Sequence, residues 1–253
     1  MNIVDSFRGA APVASLWKIK SLDKRPWQLR WKPVCASTEI ELSNWLRDEP
    51  LKGSIPRAFL AARQNHGTGQ RGRTWEAPNG GVWISAAMPF FEESKSSGIF
   101  GLAVAVALAK KIESFDVPVQ IKWPNDLVVG GRKLAGFLPR LIHRGDRLRI
   151  GRIGLGLNVC NRVPKGAISL HEIFRPRNCQ QLFWAVEVLL ALASAKELMP
   201  DSEYVCSQAE RMLWANAVKD PKSGAILKIE GLTNDGALKL RNGSCQTIWN
   251  RWD

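Results

Sequence analysis

Residues 67–81 read Gly-Thr-Gly-Gln-Arg-Gly-Arg-Thr-Trp-Glu-Ala-Pro-Asn-Gly-Gly, and the choice of fold turns on them. The first six match G-x-G-x-x-G and follow Pro56 to Arg63 (PRAFLAAR), an apolar run of strand length. Glu92 and Glu93 even stand at about the spacing of a ribose-binding carboxylate. A dinucleotide fold, however, needs a helix to open at the third glycine, so that its free amides meet a pyrophosphate. Here Arg73 to Ala77 lead into Pro78-Asn79-Gly80-Gly81, which is turn chemistry. The doubly wound reading fails on that context. Taken whole, the segment offers glycine amides, two guanidinium groups and an indole. Such a set can surround phosphate oxygens and cover a flat base. The plainer reading is a mobile cationic surface loop.

Working outward, Trp27 to Ala36 (WQLRWKPVCA) alternates as a first strand. Thr38 and Glu41 then form a capping box for a short helix, EIELSNWL. Val82 to Phe90 is an apolar strand after a loop spanning Asn65 to Gly81. Ser97 to Ser114 is a helix whose segment GLAVAVALA is apolar all round and therefore central. Val119 to Trp123 is a short strand ending in Pro124-Asn125-Asp126. Two strands follow, Lys133 to His143 and Arg147 to Val159, around the tight turn Arg144-Gly145-Asp146. Ser169 to Trp214 is mostly helical. The tail holds three short strands, ILKIEGL, ALKLRN and QTIWNRW, with turns at Asn234-Asp235-Gly236 and Asn242-Gly243. Strand pairs mixed with helices, without strict βαβ units, predict an α+β fold. It has a mixed sheet covered by helices plus a small C-terminal β barrel. The expected divisions are a loosely ordered lead-in over residues 1–26, a main domain over 27–218 and a small domain over 219–253.

Composition bounds the partners. The 253 residues carry 36 Lys and Arg against 23 Asp and Glu, a net charge of +13 that favours anionic ligands. The basic residues are scattered, so a solvated cationic surface is the simpler account. Cys35, Cys160, Cys179, Cys206 and Cys245 are odd in number and far apart, and His66, His143 and His171 are isolated. A zinc site or a disulfide framework is therefore not expected. The N-terminus lacks a signal-like apolar run, and the longest apolar stretch, Gly101 to Ala109, is far short of a membrane span. The expectation is a soluble cytoplasmic protein without membrane association.

A second group of residues carries chemistry: Lys122-Trp123-Pro124-Asn125-Asp126, then Lys133-Leu134-Ala135-Gly136. Asp126 at a strand-end turn can hold Mg²⁺, with Asn125 beside it. The bland account is a pair of turn formers after a proline. Lys133 opens an apolar strand, where its ammonium would be desolvated and directed. As an ordinary strand-edge lysine it would instead keep its head in water.

Together these segments resemble the biotin protein ligase family. GTGQRGRTW is similar to the family's G-R-G-R-x-G-R-x-W loop, and KWPND, KLAG and Gly154-Leu155-Gly156-Leu157-Asn158-Val159 resemble its K-W-P-N-D, K-x-x-G and G-x-G-x-N-V series. Ala36-Ser37-Thr38 resembles its D-S-T segment. The likeness spans about residues 27–160, and the tail stands where the family has an SH3-like domain. It implies a class II synthetase-like catalytic domain and an AMP-forming carbon–nitrogen ligase. Such an enzyme joins biotin to ATP as biotinyl-5′-AMP. It then passes the biotinyl group to a lysine of a biotin carboxyl-carrier protein, with that of acetyl-CoA carboxylase expected.

The resemblance also implies roles. Lys133, Arg71 and Asp126 are catalytic, with Lys133 at the biotin carboxylate and the α-phosphate. Ser37, Thr38, Glu39, Gln64, Thr68, Gly69, Gln70 and Lys133 bind biotin. Arg71, Arg73, Trp75, Asn125, Asp126 and Asn158 bind ATP, with Mg²⁺ at Asp126. Thr68 and Gln70 stand where the family carries arginines, Glu39 where it has asparagine, Ala36 where it has aspartate, and Pro139-Arg140 where an acidic residue is common. Only about 26 residues precede the first strand, against roughly 60 or more for a winged DNA-binding domain. A short form without nucleic-acid binding is expected. The nearest alternative is a lipoate or octanoyl ligase or transferase of the same fold. A biotin-binding module without turnover is a further one.

Overall fold

The computed structural model describes residues 8–22, 26–90, 97–174 and 180–250. In chain order the elements are α1 (Ala11–Lys20), β1 (Gln28–Cys35), α2 (Thr38–Asp48), β2 (Arg57–Thr68), β3 (Thr74–Ala77) and β4 (Val82–Pro89). Next come α3 (Ser97–Glu113), β5 (Val119–Lys122), β6 (Asp126–Val129), β7 (Arg132–Arg144) and β8 (Arg147–Leu157). Helices α4 (Leu170–Phe174), α5 (Gln181–Leu198) and α6 (Ser202–Arg211) precede β9 (Ala217–Lys219), β10 (Ile226–Leu232), β11 (Leu238–Asn242) and β12 (Cys245–Trp249). Two compact units result, Met1–Ser94 with Arg132–Leu190, and Lys95–Gly131 with Ala191–Asp253.

In the first unit the strands run β1-β2-β4-β8-β7, with β3 pairing β2 beside that path. Strands β1 and β2 are parallel and the other pairs antiparallel, so the sheet is mixed as expected. Leu42 and Trp45 of α2 pack on Phe59 of β2 and Ala87 of β4, with Leu46 and Ile150 closing the cluster. Every residue of β4 is buried, which suits its continuous apolar sequence.

The second unit holds α3, the β5–β6 hairpin, α6 and the tail. Helix α3 is buried all round from Ile99 through Ala109. The tail forms a four-stranded antiparallel sheet in the order β12-β11-β10-β9. Among the described residues no pairing closes it into the expected barrel, and β12 and β9 are its outer strands. Trp123 of the KWPND motif is buried and donates its indole N–H to the Gly236 carbonyl at 2.9 Å. The motif's tryptophan thus anchors a turn of the tail sheet.

Three local expectations are corrected. The lead-in is not loosely ordered where it is described: α1 forms over Ala11–Lys20, with proline in its first turn and Val13 and Trp17 buried. Trp17 meets Trp27 edge-on at 6.0 Å. The capping box is not made by Thr38. Ser37 is the cap, accepting from the Glu39 amide at 3.3 Å, because Thr38 is drawn into longer-range bonds described below. The glycine-rich segment is not one open loop either. Strand β2 continues to Thr68 and β3 returns alongside it, with Gly67 opposite Trp75. Glu92, Glu93 and Cys179 lie outside the described residues. Among the described residues no helix is long and apolar enough to cross a membrane.

Burial gives the cysteines separate chemistries. Desolvation, helped by the charge of Glu41 and opposed by Lys32, pushes the Cys35 thiol from 9.0 to about 11. At pH 8 that leaves about 0.1% thiolate, against about 10% for an unshifted group. Cys245 is exposed. Mass spectrometry after iodoacetamide at pH 8 should show the exposed Cys245 alkylated well before the buried Cys35. The rate at Cys35 should rise as the pH climbs through 9 towards 11. Equal rates at pH 8 would contradict the burial account.

Candidate active site

The site grows from one face of the first unit's sheet. Successive strand residues face opposite ways, so Gly154 and Gly156 of β8 share a face. The register places Ser85 of β4 and Leu138 of β7 beside Gly154, and Trp83 and Gly136 beside Gly156. Three glycines therefore make a floor without side chains. What they admit is an indole: a Cβ at Gly156 would lie 2.6 Å from the Trp75 ring, and one at Gly136 2.8 Å. Trp75 reaches that floor because β3 folds back on β2, and it also meets Trp83 edge-on at 6.2 Å.

One end of the floor is polar. Thr38 donates from its amide and its hydroxyl to Gln64 Oε1, at 2.7 and 3.0 Å, and its hydroxyl lies 2.8 Å from that of Ser85. Ser37, Thr38 and Ser85 are all buried. A buried hydroxyl on an otherwise apolar strand costs free energy unless it is bonded, so Ser85 and Thr38 orient each other. Glu39, next in the helix, reaches over Gly154 and pairs with Arg152 of β8 at 3.3 Å.

Lys133 stands by the indole, its ammonium 4.9 Å from the centroid of the Trp75 ring. Its backbone is fixed on both sides. The Lys133 amide donates to Gly166 at 2.9 Å, and its carbonyl accepts from Ile168 at 2.9 Å and from Asn158 Nδ2 at 3.3 Å. Asn158 is buried, and its Oδ1 accepts from Asn161 Nδ2 at 3.0 Å. Its side chain therefore ties the ends of β7 and β8 together.

Between Thr68 and Thr74 the chain makes one tight turn. The Gly69 amide donates to the Arg73 carbonyl at 2.6 Å and the Arg73 amide to the Gln70 carbonyl at 3.2 Å. Arg71 adopts φ +57°, a left-handed conformation that costs about 1–2 kcal/mol outside glycine. Thr68, Gln70, Arg71 and Arg73 are exposed and Gly69 half-buried. Arg71, Gly72 and Arg73 thus stand exposed on a turn just before Trp75, while the Gly69 and Arg73 amides are bonded within it.

The first unit thereby gathers Ser37, Thr38, Glu39, Gln64, Trp75, Lys133 and Asn158 along one sheet face. Asn125 and Asp126 belong to the second unit, half-buried at the turn where β5 passes into β6. Among the described residues no three His, Cys, Asp or Glu side chains converge. Sequence reasoning overlooked Ser85, Arg152 and Asn161, and named Gly136, Gly154 and Gly156 only as members of motifs, without a role. Only the two-residue spacing of Gly154 and Gly156 carried a local signal.

A polar cluster, a glycine floor and a lysine beside an indole thus share one face of the sheet, next to a cationic glycine turn. Residues 40–158 match the model of the Biotin/lipoate A/B protein ligase family. Among characterised relatives, the bifunctional ligase/repressor BirA of Bacillus subtilis is 37% identical over 139 residues, which are 54% of this chain and 41% of that protein. The biotin–[acetyl-CoA-carboxylase] ligase of Paracoccus denitrificans is 29% identical over 122 residues, 44% of this chain and 47% of that protein. The chain thus spans less than half the length of these relatives. In fold it is similar to the biotin protein ligase of Aquifex aeolicus, solved with biotin and ATP. There the TM-score is 0.70 at 22% identity, over 89% of this chain and 96% of that one.

Proposed function

We propose that the protein is an ATP-dependent biotin protein ligase. The observation that carries this reading is that the Thr38–Gln64–Ser85 cluster and the Lys133 ammonium lie along one sheet face over the glycine floor, which in this reading is the trough for the acid once Trp75 lifts from it. A bicyclic urea suits the polar end, and its valeryl chain suits the apolar floor. Its carboxylate then extends towards Lys133.

Two anions must meet for the first step. The biotin carboxylate oxygen attacks the α-phosphorus of ATP, the bond to the bridging oxygen breaks, and pyrophosphate leaves with the electron pair. Lys133, Arg71 and Arg73 offset the repulsion and the charge growing at phosphorus. Asp126, with Asn125 beside it, would hold Mg²⁺ carried on the nucleotide, which needs only one or two carboxylates besides phosphate oxygens. In the second step the ε-amine of a carrier lysine attacks the acyl carbon, the bond to AMP breaks and the amine proton is lost to solvent. The acceptor in this reading is the biotin carboxyl-carrier protein of acetyl-CoA carboxylase, and the compartment is the cytoplasm.

The family also includes lipoate ligases, whose substrate is an aliphatic acid with a dithiolane ring. The hydrogen-bonding cluster at the trough's end favours a polar ring instead. Purified protein incubated with ATP, Mg²⁺, labelled biotin and an apo carrier domain tests the proposal directly. Transfer of label supports it. Transfer of labelled octanoate or lipoate but not of biotin moves the assignment to the other branch.

The exposed turn at Gln70–Arg73 should respond to ligand. Clustered cations repel one another until an anion arrives, and few apolar contacts hold the turn. Limited tryptic cleavage at Arg71 and Arg73 is expected to slow by about 10-fold with biotin and ATP, as ordering of a local opening of about 1.4 kcal/mol gives. Equal cleavage with and without ligands would show that this turn does not close on substrate.

A further inference from the structure

On the glycine floor two polar atoms are shielded from water without a hydrogen-bond partner among the described residues: Glu39 Oε1 and the Trp75 indole nitrogen. They stand over neighbouring positions of one strand face. A Cβ at Gly154 would lie 3.4 Å from Glu39 Oε1, and one at Gly156 would lie 2.7 Å from Trp75 Nε1. An unmet buried acceptor is costly, more so when it carries charge, and such atoms concentrate where a ligand completes them.

Arg152 accounts for the rest of the Glu39 side chain. Its Nη2 approaches Glu39 Oε2 at 3.3 Å and the Glu39 carbonyl at 3.4 Å, and it donates to Ser43 Oγ at 2.8 Å. The two side chains are 19% and 13% exposed, so the pair is largely withdrawn from solvent. One oxygen is thereby paired, while Glu39 Oε1 over Gly154 and the Arg152 Nε are each buried without a partner among the described residues.

The adjoining cluster is neutral. Gln64 Oε1 already accepts twice from Thr38. With the Thr38 hydroxyl hydrogen committed there, the Ser85 hydroxyl donates to Thr38 Oγ1. Ser37 Oγ accepts from the Glu39 amide. What remains for a ligand is the donors Ser37 O–H and Gln64 amide N–H, together with lone pairs on the Ser37 and Ser85 hydroxyls, and no charged acceptor. A cyclic urea needs donors for its carbonyl and acceptors for its two N–H groups. Glu39 Oε1 is the charged acceptor one residue along the same helical turn from Thr38.

We infer that Glu39, held by Arg152, accepts a ureido N–H and makes the site select a cyclic urea over an aliphatic or dithiolane acid of similar length. This rests on the biotin reading above. The full chain is titrated calorimetrically with biotin and with octanoate, as the parent, Glu39→Gln, Glu39→Ala and Glu39→Ala/Arg152→Ala. Biotin should bind Glu39→Ala about 10–100-fold more weakly, the range a charge-assisted hydrogen bond supports, and Glu39→Gln within about 5-fold of the parent. Octanoate should bind all four within about 2-fold. The double variant should show the same loss of biotin, separating it from the effect of an unpaired arginine.

Unchanged biotin affinity in a folded Glu39→Ala protein overturns the inference, as does an equal loss of octanoate. Should the variants fail to fold, the parent is titrated with biotin methylated on one or the other ureido nitrogen. At least one of these should bind about 10-fold or more weakly, and both binding like biotin would overturn the role of Glu39. A parent that binds no biotin refutes the assignment of function itself. A parent that binds biotin without this discrimination refutes only the role given to Glu39.

Discussion

Lys133→Ala is expected to lower biotinyl-AMP formation by about 10²–10³-fold, the loss that follows removal of one preorganised donor at a developing charge. The Lys133 side chain borders the indole on the glycine floor, and its backbone is held from Gly166, Ile168 and Asn158. Truncation therefore removes the ammonium and leaves the strand in place. The melting temperature should move little, because a half-exposed lysine away from the core costs within about 0.5 kcal/mol. Biotin affinity should fall far less than turnover, since the polar cluster at the other end of the trough is untouched. Pyrophosphate release at near-parental rate would show that Lys133 is an ordinary edge lysine.

Gly156→Val should have the second largest effect, and on binding rather than on rate alone. A Cβ there already comes within 2.6 Å of the Trp75 indole, and the two further methyl groups of valine project into the trough. Overpacking of this kind costs typically 1–3 kcal/mol, which as lost affinity is about 10–100-fold in the Kd for biotin. Gly136→Ala should weaken binding in the same direction, its Cβ lying 2.8 Å from the indole and 3.2 Å from Lys133 Cε. Fluorescence should report both changes, because Trp75 must leave its seat. A Gly156→Val protein binding biotin within about 2-fold of the parent would mean that the ligand does not use this floor.

Much of this was legible before any coordinates. Alternation marked β1 and the β7–β8 pair, and the all-round apolar run of α3 announced its burial. Pro78-Asn79-Gly80-Gly81 was enough to reject a helix after the third glycine, and β3 with its following turn stands there. These features depend on neighbours within a few residues, where chain chemistry acts directly. Lys133 was also found, since a lysine opening an apolar strand is a local anomaly.

Other residues changed roles because distant partners outbid local ones. Thr38 has the right chemistry for a helix cap, yet Gln64 and Ser85 take its hydroxyl and the cap falls to Ser37. The Asn158 amide also gains a long-range partner, the Lys133 carbonyl, besides its near neighbour Asn161. The tail's Asn234-Asp235-Gly236 turn, ordinary in sequence, receives the indole of Trp123 at Gly236.

The sequence by itself determined the periodicities, the turn chemistry and the set of reactive groups, because each follows from residues close along the chain. Only the tertiary structure decided which of those groups face one another. Glu39 and Arg152 are separated by 113 positions, and Gly136 lies opposite Gly156 only through one register of β7 on β8. A slip of one residue would turn the glycine floor to the other side of the sheet. That register is held by packing of the whole sheet, which no local pattern encodes.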